Sequence, residues 1–175
     1  MRNLFIPLLF TVSLSLHAAP AELDWLELLP PEDLAALEAM PEIEHNTPEA
    51  AGFSSEGGFL KQAPGLPEVM YSTRTVAELD GREVRLAGYP VPLESDEQGR
   101  FIEFFLVPYP GACIHVPPPP PNQIVLVRHP RGIRIDDIYA PLEVDGRLRI
   151  ETAGNALADA AYALNHIPFA LEEHI

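Results

Sequence analysis

The residues best equipped for chemistry lie on one short run, Gly111-Ala112-Cys113-Ile114-His115-Val116-Pro117-Pro118-Pro119-Pro120-Pro121-Asn122-Gln123. Cys113 is the only cysteine of the chain, so it forms no disulfide within it. His115 follows two places later, and in extended backbone residues two apart point to the same side. Thiolate and imidazole are the ligands that ions of the zinc and copper type favour. The five prolines that follow restrict φ to about −65° and form an extended helix without hydrogen bonds of its own. The pair is therefore expected on a stiff strut, facing one metal ion, with Zn2+ the cofactor that fits. Two ligands leave a tetrahedral site half filled. Further donors are sought in His129, taken as the third ligand, or in His45, His166, His174, a carboxylate or water.

Other readings of the same run stay open. A lone cysteine often behaves as a small buried hydrophobe, with a neighbouring histidine hydrogen-bonded. Thiol chemistry would need a short contact between Cys113 and His115, which neighbours two apart on a strand rarely make, and no orienting Asp or Asn is evident. A third reading makes Pro117, Pro118, Pro119, Pro120, Pro121, Asn122 and Gln123, with the exposed faces of Tyr89 and Tyr109, a platform for protein contact, because prolines have little entropy left to lose. Among the carboxylates, Glu94-Ser95-Asp96-Glu97 reads as a solvated turn without a calcium-loop pattern. Asp136 and Asp137 are expected to pair with Arg131 or Arg134. The sequence holds no Gly-rich phosphate loop and no Gly-x-Ser-x-Gly elbow, so a conventional hydrolase is not supported.

The rest of the chain must position that run. Eleven Lys+Arg against 26 Asp+Glu give a formal charge of −15, which argues against nucleic acid or anionic lipid as a partner. Twenty prolines among 175 residues exclude a large helical bundle, while 47% hydrophobic residues supply a core. Residues 1–19 read as a cleavable signal peptide: Arg2, the apolar stretch Leu4–Leu16, then Ala18 and Ala19. That stretch is short of the roughly 20 residues that span a bilayer, so a periplasmic protein without stable membrane insertion is expected. Residues 20–71 form a second zone. A helix starts at Pro31 with Glu32 and Asp33 in its first turn, and Trp25, Leu26 and Leu29 anchor the arm. Residues 41–70 show no periodicity and read as a linker without function.

Residues 72–175 form the folded domain. Strands are expected over 82–88, 101–107 and 124–128, with a hairpin turn at Asp145-Gly146 between Leu142–Val144 and Leu148–Ile150. A helix is expected from Asn155, with Leu157, Ala160, Ala161 and Leu164 on one face. The fold class is mainly β (α+β): a small OB-like, partly open β-barrel with a C-terminal helix and an N-terminal helical arm.

Taken together, Asp80–Glu94, the run from Phe105 to Val125 and the Asp24–Pro30 stretch resemble the DUF3299 family of exported bacterial proteins, whose members carry no established activity. The Gly-Ala-Cys-Ile-His-x-Pro-Pro-Pro-Pro-x-Asn-Gln pattern shows no departure from the family's. Some members are encoded beside ABC-transporter components linked to zinc limitation. The resemblance thus implies metal handling with an ABC-transporter component as partner, and Cys113 and His115 as ligands.

Overall fold

The computed structural model describes residues 19–40, 60, 62, 65–110 and 118–166. Cys113, His115 and Pro117 lie outside the described residues, as do His45 and His174. The described strands are β1 (Ala21–Glu22), β2 (Glu83–Ser95), β3 (Phe101–Val107), β4 (Val125–Ile133), β5 (Leu142–Gly154) and β6 (Asp159–His166), with one α-helix, α1 (Pro31–Glu38).

β2 is long enough, at 13 residues, to serve two neighbours. Its first half pairs antiparallel with β5 from Glu83↔Arg147 to Gly88↔Leu142, and its second half with β3 from Tyr89↔Val107 onward. β3 pairs antiparallel with β4, β4 parallel with β6, and β6 antiparallel with β5. The order β2-β3-β4-β6-β5 returns to β2 and closes a five-stranded barrel. The OB-like expectation therefore holds, with the barrel closed and not partly open. Its sheet leaves no long free edge, which removes a template for unwanted pairing.

Alternation along the strands builds two apolar layers. Phe104 and Leu106 of β3, Val125 and Val127 of β4, and Tyr162 and Leu164 of β6 face the barrel interior with Val84, Leu86, Val144 and Leu148. Phe105 and Val107, Leu126, and Ala160 and Ala163 form a second layer outside it.

The helix expected from Asn155 is the strand β6. Asn155 does act as a local cap, its Oδ1 accepting from the backbone of Leu157 at 2.8 Å and Ala158 at 3.0 Å, but it closes the turn between β5 and β6. Ala160 to Leu164 are buried without interruption, because β6 is covered on both faces. A continuous apolar run carries no period that separates strand from helix. The hairpin expected at Asp145-Gly146 is also absent: β5 runs through it unbroken. Gly146 is needed there for close approach, since a Cβ would lie 2.7 Å from the Asn165 carbonyl oxygen of β6.

The helical arm is borne out. Asp24 opens a 3-10 turn (Trp25–Leu28) through a capping box, and α1 begins at Pro31 as expected. The anchor differs in one place. Leu26 is exposed, while Leu23 and Leu28 join the barrel core. Ala36, Leu37 and Met40 pack on Val69 and Met70.

Candidate functional site

The run that follows the prolines is locked to the arm. Asn122, fully buried, donates from Nδ2 to Oδ2 of Asp33 at 2.8 Å and to the Arg74 carbonyl at 3.0 Å. Its backbone N–H donates to the Ser72 carbonyl at 3.2 Å. Ser72 Oγ adds a 2.5 Å bond to the same Asp33 oxygen, and the Arg74 guanidinium pairs with the other. Burial pushes the Asp33 carboxyl up, but the bonds from Ser72, Arg74 and Asn122 and the Arg74 charge outweigh it and hold the group below its ordinary value. Gln123 Nε2 donates to the Trp25 carbonyl at 2.7 Å, and Trp25 Nε1 to the Ala87 carbonyl at 2.7 Å. Tyr162 ties the arm from inside, donating to the Leu28 carbonyl at 2.9 Å and accepting from Val76 N–H at 2.7 Å.

Pro118, Pro119, Pro120 and Pro121 are buried, so they do not form the exposed docking platform expected of them. A proline brings no N–H to satisfy, and only its carbonyl needs a partner when buried. Pro119 finds one in Gln62 Nε2 at 2.5 Å. Tyr89 and Tyr109 are likewise half-buried against the outer apolar layer and not free faces. Burial pushes the Tyr109 hydroxyl up. Both flanks of the Cys113 segment are thus fastened: Val107 ends a core strand, and Pro118–Gln123 are buried.

His129 lies on β4. It lies four positions along β4 from Val125, about 13 Å of strand from where the proline run rejoins the barrel. The parallel register Arg128↔Asn165 sets it beside His166, with ring centroids 3.8 Å apart and planes 19° from parallel. His166 Nδ1 lies 3.0 Å from the Asp145 carbonyl; a carbonyl only accepts, so Nδ1 carries the proton. A cleft of about 290 Å³ is lined by Arg85, His129, Ile133, Glu143, Val144, Asp145 and His166. In this seam the ring of His129, expected as a third ligand, stacks on that of His166. Among the described residues no group of three or more His, Cys, Asp or Glu is arranged to hold a metal ion.

The carboxylates follow the sequence reading in part: Glu94 and Ser95 end β2 and do not form a turn, and Asp137 accepts from the Tyr139 backbone N–H at 2.8 Å. Asp96 accepts from the backbone of Gln98 at 3.0 Å and Arg100 at 2.9 Å, closing the β2–β3 turn. Asp136 pairs with Arg134 at the surface. Two features escaped the sequence reading. The buried Asp33 was visible only as a first-turn acid of a helix, a sufficient role there for any carboxylate. Leu60, in the zone read as linker, is fully buried, with no period around it to signal this.

Comparison with known proteins follows this geometry. The profile of a protein family of unknown function, DUF3299, matches residues 25–170. No curated protein matches the chain. The crystal structure of a DUF3299 family protein from Pseudomonas aeruginosa PAO1, at 2.45 Å resolution, is 39% identical, with a TM-score of 0.62; the match covers 85% of this chain and 93% of that one. The profile spans α1 and the whole barrel, and the structural match is 39% identical over 85% of the chain: the chain belongs to the DUF3299 family.

Proposed function

We propose that this protein binds a transition-metal ion, zinc above others, through Cys113 and His115, as a non-catalytic accessory protein of the periplasm that works with an ABC-type transporter. One observation carries the reading: the residues directly after the proline run are pinned to the arm and barrel by the Asn122–Asp33 and Gln123–Trp25 bonds. Ordering a ligand-bearing segment costs conformational entropy, and fastening both its flanks lowers what remains to be lost when a metal binds. Thiolate and imidazole suit zinc, and two such donors need one or two more to complete a tetrahedron. The apolar leader, Leu4–Leu16, supports the compartment, and the family resemblance supports the transporter.

The test is zinc uptake by the protein lacking residues 1–19, purified under reducing conditions and dialysed against zinc. About one zinc per chain is expected, with uptake abolished in Cys113→Ser and weakened in His115→Ala. A chain that takes up no zinc, or a Cys113→Ser variant that binds it equally well, overturns the reading.

A further inference from the structure

β2 and β5 set charged side chains opposite one another along one face: Glu83 opposite Arg147, Arg85 opposite Asp145, and Ala87 opposite Glu143. The first rung closes as an ion pair at 2.8 Å. The second closes as a fork, with Arg85 Nε 2.6 Å and Nη2 2.7 Å from the two Asp145 oxygens. The third rung has a carboxylate and no cation. Ala87 brings no charge, and among the described residues no hydrogen bond or ion pair reaches Glu143. Arg85 is committed to Asp145, and Glu143 and Glu22 act on it through charge alone. Three carboxylates therefore surround one guanidinium. Glu143, Asp145 and Arg85 line the cleft of about 290 Å³ together with the stacked rings of His129 and His166, and Ile133 and Val144 add apolar surface.

We infer that this cleft binds a guanidinium group, paired by Glu143 and stacked against the imidazole pair. A carboxylate accepts a guanidinium through two parallel N–H bonds, so the one unmatched acid of the ladder is enough to orient it. The group is planar and stacks on ring faces. The methylene stem that carries it lies well on apolar surface of the kind Ile133 and Val144 provide. An anion would meet three carboxylates against one arginine, and the formal charge of −15 on the chain repels it before contact. A metal ion held here would need three or more donors, and among the described residues no such group is arranged for one. A cleft of about 290 Å³ lies at the small end of ligand pockets, which suits one head group and its stem. The same alkylguanidinium is carried by an arginine on a protein and by a free guanidino compound. The inference calls on neither Cys113 nor His115, so it stands apart from the metal reading.

The probe is N-acetyl-arginine amide, titrated into the full chain while the imidazole ring signals of His129 and His166 are followed by NMR. Saturable shifts of both rings are expected. Glu143→Gln keeps the size of an exposed side chain and removes only its charge, so the fold is retained. It is expected to weaken binding about tenfold or more, as losing hydrogen bonds to a charged group does. The citrulline amide has the same stem with a neutral head, and the lysine amide has a cation without the fork; each is expected to bind about tenfold more weakly. Cys113→Ser is expected to bind the arginine amide unchanged, whatever it does to zinc. Free L-arginine, titrated in parallel, names the source. Tighter binding than the amide assigns the site to a free guanidino compound, weaker binding to an arginine within a chain, and either supports the inference. Absence of saturable ring shifts, equal binding by Glu143→Gln, or a citrulline or lysine amide that binds as tightly overturns it. Loss of binding in Cys113→Ser does so too.

Discussion

The side-chain amide of Asn122 donates to the carboxylate of Asp33 across 89 positions of sequence, at 2.8 Å and out of contact with water. This bond joins the segment after the prolines to α1 of the arm, so the arm is a structural part of whatever that segment does. Ser72 and Arg74 converge on the same carboxylate, and its removal strands two buried donors, Ser72 Oγ and Asn122 Nδ2, at once.

Asp33→Ala is accordingly expected to cost about 2–4 kcal/mol of unfolding free energy, the range for buried donors left unsatisfied beside a broken ion pair. Arg74 is half exposed and recovers water, which argues for the lower end. Urea denaturation of the variant against the unaltered protein measures it. A loss no larger than that of an exposed substitution in α1, such as Glu38→Ala, refutes the latch.

The same carboxyl sets an acid limb of stability. Its folded value lies below the ordinary aspartate value, so the folded chain holds this proton less readily than the unfolded chain. The stabilisation is fully present above the unfolded value of about 3.9 and is lost as pH falls through the lower folded value. Asp96 and Glu151 are also held low by their arginine partners, Arg100 and Arg128, and they act in any variant that retains them. The stability gap between the unaltered protein and Asp33→Asn should therefore shrink as pH drops from about 6 to about 2. A gap independent of pH would show that ionised Asp33 adds nothing.

Gly88 is the seat of the only tryptophan. A Cβ at this position would lie 2.8 Å from Trp25 Cζ2, from Leu106 Cγ and from the Val107 carbonyl oxygen. Gly88→Ala is expected to displace the indole, break its bond to the Ala87 carbonyl and cost about 1–3 kcal/mol, as overpacking does. Tryptophan fluorescence reports this directly, since the chain has one tryptophan: emission moves to the red in Gly88→Ala. An unshifted spectrum contradicts the assignment.

Zinc affinity should depend on a residue that touches no metal. Asn122→Ala keeps the Cys113 and His115 side chains but unfastens the segment that follows them, and the ordering entropy of one freed residue, about 1–2 kcal/mol, is worth roughly 5–30-fold in metal affinity. Competition against a chromophoric chelator measures the shift. Asn122→Ala binding zinc as tightly as the unaltered chain would separate the latch from the metal.

Much of the barrel is legible in the amino-acid order. Residues 83–88 alternate and open β2, because one side chain in two faces the interior, and the apolar run 101–107 forms β3 over that same span. Gly81 and Gly99 take the positive φ their turns require. Pro31 starts the helix where its missing N–H has no role. Residues 155–166 misled because Ala160–Leu164, buried on both faces, lack a period. Gly146 misled because a glycine chosen for close packing reads like one chosen for a turn.

By itself, then, the sequence determined the β-rich class, the turns, the start of the arm, the acidic surface and the chemistry available to Cys113 and His115. These follow from properties each residue carries locally: side-chain period, φ preference, charge and ligand type. Tertiary structure alone decided that Asp33 meets Asn122, that His129 stacks on His166, that the prolines are buried and that Leu60 fills the outer face. Each is a contact between distant positions, and its energy comes from excluding water between surfaces that exist only once the barrel has closed.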